Sequence, residues 1–475
     1  MKQILRKFNR LSLPAKASLA LVFSQLVQKG LSIITEPIYT RLLNTSEYGT
    51  VSLFLSWHEI LVIFTSLCLS KGVFNNGMMD YKNDRDVFTL SLYTLSCIST
   101  IFIGIPVILF STFIYNFMDL SIELILYMFI LLFFEQTLAL WTVRQRFEYK
   151  YMAVTVLTIV LTVLAPLSGI VGVLVSENKV FARIICEKNI FIISYIGVLI
   201  LIIKKAKGKI NLLYWKYALK FNIPLIPHYL SLHILNHMDR IQIAFVIGKS
   251  AAGIYSIAYS GAAAIKIFWQ AINASLIPWT YEKCSKKDFK KLKDLTEILI
   301  LGFGLLCVFF MFLAPEVMKI LAPVSYHEGI YVIPSVVAGV YFSVMYYVFA
   351  NIVYYYKKPK YVMIGSCCSA VINVILNAIF IPIFGYLAAG YTTMFAYGFQ
   401  AFIDYYALRK VIGKDIYDKK FLLMTSSFVV FVAILLNYIY DKTFIRLGLV
   451  GAILLYTIYY FSKNKDIFSM FFQKK

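Results

Sequence analysis

Fourteen apolar stretches run through this chain, each long enough to cross the ~30 Å hydrocarbon core of a bilayer as a helix. They fall near residues 16–38, 49–70, 88–111, 122–143, 152–175, 181–203, 219–247, 252–277, 294–314, 330–354, 361–383, 386–408, 421–440 and 446–462. With 60% hydrophobic and 15% charged residues and a mean hydropathy of +0.76, the 475-residue chain lacks the polar surface of a soluble domain. The expected class is an all-α polytopic membrane protein with about 14 transmembrane helices.

Loop charge sets the expected orientation. The formal net charge of +22 would suit nucleic acid, but the basic residues sit in short loops between apolar stretches. The arm MKQILRKFNRLSLPAK is basic and amphipathic, with no cleavage site. The loops at 71–86, 144–150, 204–220, 281–294, 357–360 and 409–420 and the tail from Lys463 are basic too. They alternate with loops nearly free of Lys and Arg at 115–123, 176–179 and 385–390. About 35 basic residues fall on one side and about 6 on the other, which predicts cytoplasmic N- and C-termini. The loops at 204–220 and 281–294 suit anionic headgroups, or serve as topology determinants alone. The seven cysteines lack metal-ligand spacing and read as small packing residues.

An internal echo suggests two lobes. Setting Gly49 of RLLNTSEYGTVSLFLS against Gly253 of NHMDRIQIAFVIGKSAAGIYSIAYS aligns Ser46 with Ser250, Ser52 with Ser256 and Ser56 with Ser260. Two copies of one helix bundle would give this recurrence, as would chance similarity between two membrane hairpins. With the 204–220 loop as boundary, the expected organisation is a six-helix lobe at 1–210, a second at 211–414, and two further helices with a tail at 415–475. Pro382, Gly385 and Gly390 predict a close turn between the eleventh and twelfth helices.

The candidate site residues are charges inside apolar stretches. Each costs roughly 2.5–3.5 kcal/mol at mid-bilayer on insertion scales, so such groups face a protein interior or a wet cavity. In the first stretch Ser18, Gln25, Lys29, Ser32 and Glu36 fall on one helix face, about 27 Å long. The second repeats this with Ser52, Ser56, Glu59, Ser66 and Ser70. The seventh aligns Tyr229, His233, His237 and Arg240, with Asn236 and Asp239 beside them. The eighth aligns Ser256, Tyr259, Lys266, Gln270 and Asn273. Glu135, Arg183, Glu187, Lys188 and Asp404 complete the set. Two readings stand: the stripes line a water-filled cavity, or each charge pairs locally. Arg183 and Glu187, one turn apart, suit a direct pair, whereas the adjacent Asp239 and Arg240 point to different faces. Pro224 and Pro227 predict a kinked or partly unwound seventh helix, either a gate or a packing kink.

Three segments carry a family resemblance: IYTRLLNTSEYGTVSLF, PLIPHYLSLHILNHMDRIQIAFVIGKSAAGIYSIAYS and ILNAIFIPIFGYLAAGYTT. Together with the segment count they resemble Wzx-type polysaccharide flippases of the multidrug/oligosaccharidyl-lipid/polysaccharide exporter superfamily. The resemblance implies a MATE-like V of two six-helix lobes around a central cavity, plus two more helices. It implies export of a polyprenyl-diphosphate-linked oligosaccharide across a bacterial inner membrane by alternating access, for O-antigen or capsule, with no ATP site. On that reading Lys29, Arg240, Lys266 and Arg183 bind the diphosphate or acidic sugars. Gln25, Glu36, Glu59, Glu135, His237, Asp239, Gln270, Asn273 and Asp404 are cavity or coupling groups, and Pro224 and Pro227 a gate. The expected partners are the glycan lipid, the bilayer, a polymerase and a chain-length regulator. A monomer without metal, cofactor or nucleic acid is expected.

Two other functions compete. A cation-coupled multidrug exporter of the same superfamily would use the intramembrane acids Glu36, Glu59, Glu135 and Asp404. A polymerase or glycosyltransferase would need a sizeable outer loop, and the chain shows none. The Gly-Lys-Ser at 248–250 lacks the preceding glycine and strand of a P-loop.

Overall fold

All fourteen stretches are predominantly helical in the computed structural model, which describes residues 13–463, although 219–247 and 252–277 are each divided between two helices. The basic arm before residue 13, the tail beyond Lys463 and the side chains of Ser18 and Gln25 lie outside the described part. Ten described segments are long and apolar enough to cross a membrane. Those that fall short include Leu13–Leu42, Ile226–Val246 and Leu387–Ile412. These three carry Lys29 and Glu36; Asp239 and Arg240; and Gln400 and Asp404. Their polar side chains lower the local hydropathy.

The first compact unit ends at His233. Its helices are α1 (Leu13–Leu42), α2 (Thr45–Ser66), α3 (Gly72–Asp80), α4 (Arg85–Leu109), α5 (Ser111–Met118), α6 (Ile122–Phe147), α7 (Tyr151–Val175), α8 (Lys179–Ala206) and α9 (Leu212–Asn222). The α1–α2 turn is closed by a capping box. Asn44 Oδ1 accepts the Glu47 amide at 2.9 Å, and the Glu47 carboxylate accepts the Asn44 amide at 2.8 Å. The short helices α3 and α5 occupy segments read from sequence as loops; neither is long enough to show as a membrane span.

The loop at 204–220 is not a free linker. Its amphipathic helix α9 is docked on α4 and the α3–α4 turn. Tyr214 donates to Asp84 at 2.5 Å, Trp215 Nε1 to the Ser91 carbonyl at 2.7 Å, and Asn222 Nδ2 to the Leu67 carbonyl at 2.9 Å. Tyr81, Phe88, Tyr214 and Tyr217 cluster around these bonds. Because the docking ties α9 to the first unit, the boundary between compact units falls later, between His233 and Ile234. It lies inside the next helix, α10 (Ile226–Val246). A 3-10 turn, Ile223–Leu225, separates α9 from α10 at Pro224, and Pro227 is the second residue of α10. A proline lacks the N–H that would continue the ladder.

The second unit contains α11 (Lys249–Ala263), α12 (Lys266–Ser285), α13 (Phe289–Phe312), α14 (Ala314–Leu321), α15 (Ile333–Tyr355), α16 (Pro359–Phe384), α17 (Leu387–Ile412), α18 (Lys419–Leu435) and α19 (Thr443–Lys463). At its centre is α15, nearly all of whose residues are buried. Helix α17 lies close against it. A Cβ on Gly390 would stand 2.2 Å from Ser335 Oγ, so glycine is what permits the approach.

Helix α19 is tied down by one cation. Arg446, buried at its start, donates to the Phe312 carbonyl and to both oxygens of Glu316 on α14. That bond holds the Glu316 carboxyl below its usual range. The bonded form is the anion, so the contact's stability is present above the ordinary Glu value of ~4.3 and is lost as pH falls through the depressed one. The Glu316 side chain is 41% exposed, so solvent screening keeps the effect modest. Labelling of a cysteine placed on α19 is expected to accelerate in the native chain only as the pH falls below the ordinary glutamate range. In Glu316→Gln it is expected to be already raised and flat with pH. A flat profile in the native chain would show that the pair does not anchor α19.

Candidate functional site

Glu36, Arg183 and Glu187 meet where the end of α1 and the starts of α2 and α8 come together. Tyr48 on α2 donates to Glu36 on α1. Tyr39 on α1 donates to the Pro166 carbonyl at 3.0 Å, and its hydroxyl lies 3.3 Å from Glu187 on α8. Arg183, only 6% exposed, has its guanidinium 3.8 Å from the Tyr39 ring centre and 4.8 Å from that of Tyr48. Arg183 and Glu187 therefore do not pair directly; Glu187 meets Lys188 at 3.4 Å instead. The Nε and Nη1 donors of Arg183 have no hydrogen-bond acceptor among the described residues. The cluster encloses its cation between two aromatic faces, with acids at the rim.

Two further acids of this unit meet histidines. Glu135 on α6 lies 2.9 Å from His58 Nε2 on α2. Glu59 lies 3.3 Å from His233 Nδ1. Lys29 is exposed on α1 and forms no ion pair among the described residues.

The second unit is organised around Asp239, which is fully buried on α10. Its carboxylate accepts Tyr255 at 2.6 Å from α11, Asn377 Nδ2 at 2.7 Å from α16 and Thr393 at 2.7 Å from α17. Asn373 donates to Thr393 at 3.1 Å, and Thr392 donates to Asn377. Arg240 turns away from Asp239: its guanidinium lies 4.4 Å from the Tyr259 ring centre and donates to the Asn236 carbonyl. Tyr259 and Tyr397 each donate to Asn236 Oδ1 at 3.4 Å.

Beside this network lies a small cavity of about 40 Å³, where Asn236, Tyr259, Lys266, Ser343, Thr393 and Tyr397 meet Ala263, Val336 and Val340. That is room for a water molecule or two. The Lys266 ammonium sits 6.0 Å from the Tyr397 ring centre and forms no ion pair among the described residues. Thr393 links the cavity to Asp239. Asn273 accepts Asn351 Nδ2 at 2.9 Å, Gln270 is exposed, and His237 is half-buried. Asp404 is buried on α17.

Each unit thus joins its first two long helices by a tyrosine donating to a carboxylate: Tyr48 to Glu36, and Tyr255 to Asp239. Sequence reasoning missed Tyr39, Tyr48, Tyr255, Asn377 and Thr393. A signal was present, because every one of them lies within a segment that carries the family resemblance. In the α16–α17 segment the turn glycines drew attention, while Asn377 and Thr393 at its two ends both reach Asp239.

A model of the polysaccharide biosynthesis protein family matches residues 15–284, more than half the chain. The chain belongs to the polysaccharide biosynthesis protein family. Lsg locus putative protein 1 of Haemophilus influenzae is 28% identical over 161 residues, 33% of this chain and 40% of that protein. The match thus spans less than half of that relative. Among solved structures, lipid II flippase MurJ in an inward closed conformation superposes with a TM-score of 0.68 at 16% identity, over 95% of this chain and 99% of that one. An inward-facing multidrug resistance MATE family transporter of the MOP superfamily gives 0.64 at 15% identity, over 84% and 98%. The family member therefore has the fold of a MOP-superfamily membrane transporter.

Proposed function

We propose that this member of the polysaccharide biosynthesis family is a flippase. It carries a polyprenyl-diphosphate-linked oligosaccharide from the cytoplasmic to the outer leaflet of a bacterial cytoplasmic membrane. One observation carries the reading: Lys29, in the first apolar stretch, and Lys266, in the candidate span Lys249–Ser285, have no acid partner among the described residues. A cation held in a membrane protein without a counter-charge suits an anionic guest. A diphosphate offers about two negative charges and several acceptor oxygens, and ammonium groups satisfy both. Arg183 and Arg240, stacked on tyrosines, add cationic character near carbohydrate-compatible hydroxyls. The polyprenyl tail stays in lipid while the headgroup crosses by alternating exposure to the two faces.

The MATE-like fold keeps a multidrug exporter as the second reading, with Glu135 or Asp404 as cation sites. A deletion strain separates the two. The flippase reading expects lipid-linked repeat units to accumulate in the cytoplasmic leaflet, with surface polysaccharide restored by the intact gene. Normal surface polysaccharide together with raised sensitivity to cationic drugs would favour the exporter.

A further inference from the structure

The acid on α17 stands apart from both clusters described above. Asp404 has no exposed surface, and neither carboxylate oxygen has a hydrogen-bond partner among the described residues. It is pressed onto α16, where a Cβ on Gly365 would lie 2.9 Å from Oδ1 and 3.4 Å from the carboxyl carbon. The hydroxyls closest along α16 are already committed: Ser366 donates to the Val362 carbonyl at 3.0 Å and Ser369 to the Gly365 carbonyl at 2.8 Å. One turn before Asp404, Gln400 is equally buried. It donates Nε2 to Ser366 Oγ at 3.1 Å and leaves Oε1 without a donor. The site therefore holds three acceptor oxygens that receive no hydrogen bond from the described residues.

The surrounding charges are engaged elsewhere. From α15 the titratable neighbour is Tyr346. From α16, Tyr361 lies under Lys410 at 5.5 Å. On α17 itself, Arg409 and Tyr405 both turn to Asp415, at 3.3 and 2.9 Å, and from α18 Lys419 joins them at 3.2 Å. No cation is left to face Asp404 among the described residues. An ionised carboxylate closed off from water without donor or counter-charge is too costly for a fold to hold. A metal ion would need several more oxygen ligands, and the neighbouring serines point their hydroxyls into their own helix.

We propose that Asp404 is a proton-binding site of the second unit, protonated while α15, α16 and α17 are closed around it. When a rearrangement of these helices admits water, the O–H bond breaks, the proton passes to a water molecule, and the electron pair stays on the carboxylate. Reclosure requires a proton to return. Such a cycle lets a proton gradient drive the conformational cycle, a role that rests on the transporter reading; the protonation itself does not.

Infrared difference spectroscopy of the full chain in lipid nanodiscs tests it. The wild type is expected to show the C=O stretch of a protonated carboxyl at neutral pH, diminishing on alkaline titration. Asp404→Asn removes that band, and Asp404→Glu shifts its frequency, which guards against one variant failing to fold. Identical wild-type and Asp404→Asn spectra in this region would overturn the site. Coupling is tested separately by glycan export under an imposed pH gradient, which Asp404→Asn is expected to make insensitive to the gradient. Undiminished gradient dependence in that variant would overturn coupling. The spectroscopic arm uses no glycan, so it survives or fails independently of the flippase reading.

Discussion

Reversing the charge of Lys29 is expected to abolish surface polysaccharide while the protein stays in the membrane at its normal level. The side chain is exposed on α1 and pairs with no acid among the described residues, so Lys29→Glu strands none of them and costs little stability. What it removes is a cation for a diphosphate. A hydrogen bond to a charged group contributes about 1.5–3 kcal/mol, roughly a tenfold to hundredfold change in affinity, and reversal adds repulsion to that loss. Lys29→Arg keeps the charge and should retain most export. Lys266→Glu is expected to fail as well, since it introduces an acid into the cavity that Thr393 already links to Asp239. Arg240 is a poorer probe, because its removal also unseats Tyr259 and Asn236. Glycan staining beside an immunoblot of membranes decides the matter. Wild-type display in both lysine variants would remove the binding role assigned to them.

The second large effect concerns stability. Asp239→Ala would leave Tyr255, Asn377 and Thr393 with buried donors and no acceptor. Hydrogen bonds between membrane helices average only about 0.6 kcal/mol, because partners are found in the unfolded reference as well. A stranded donor is different: it costs about 1–3 kcal/mol where water cannot reach it. Three of them, on three helices, make a loss of several kcal/mol the expected outcome. Purified Asp239→Ala should show a sharply lower thermal midpoint and poor recovery from detergent. Asp239→Asn, which keeps one acceptor oxygen and the same shape, should lose less. A midpoint equal to wild type in the alanine variant would mean that the carboxylate does not hold α10, α11, α16 and α17 together.

Both experiments turn on residues whose presence was legible in the sequence and whose surroundings were not. Lys29, Asp239 and Lys266 stood out because a charge in an apolar run violates the local pattern. The same local logic separated Asp239 from Arg240, since adjacent helical positions face different ways. It failed for Arg183 and Glu187. Helical spacing allows that pair, but Tyr39 brings its ring to the guanidinium and its hydroxyl to the acid. The docking of the 204–220 loop was hidden for a related reason: Tyr214 and Trp215 look like ordinary amphipathic-helix residues until α4 and the turn before it supply their partners.

The amino-acid sequence alone determined the class, the helical segments and the places where polarity intrudes into apolar runs. Those follow from hydropathy and helix period, which act over a few turns. Only the tertiary structure decided which polar groups are satisfied. Asn377 and Thr393 lie 138 and 154 residues from the carboxylate they bond. Asp404 is as buried as Asp239, but none of the described residues brings a hydrogen-bond donor to it. A side chain's chemistry is carried by the chain, but its hydrogen-bond partners are assigned by packing between distant helices.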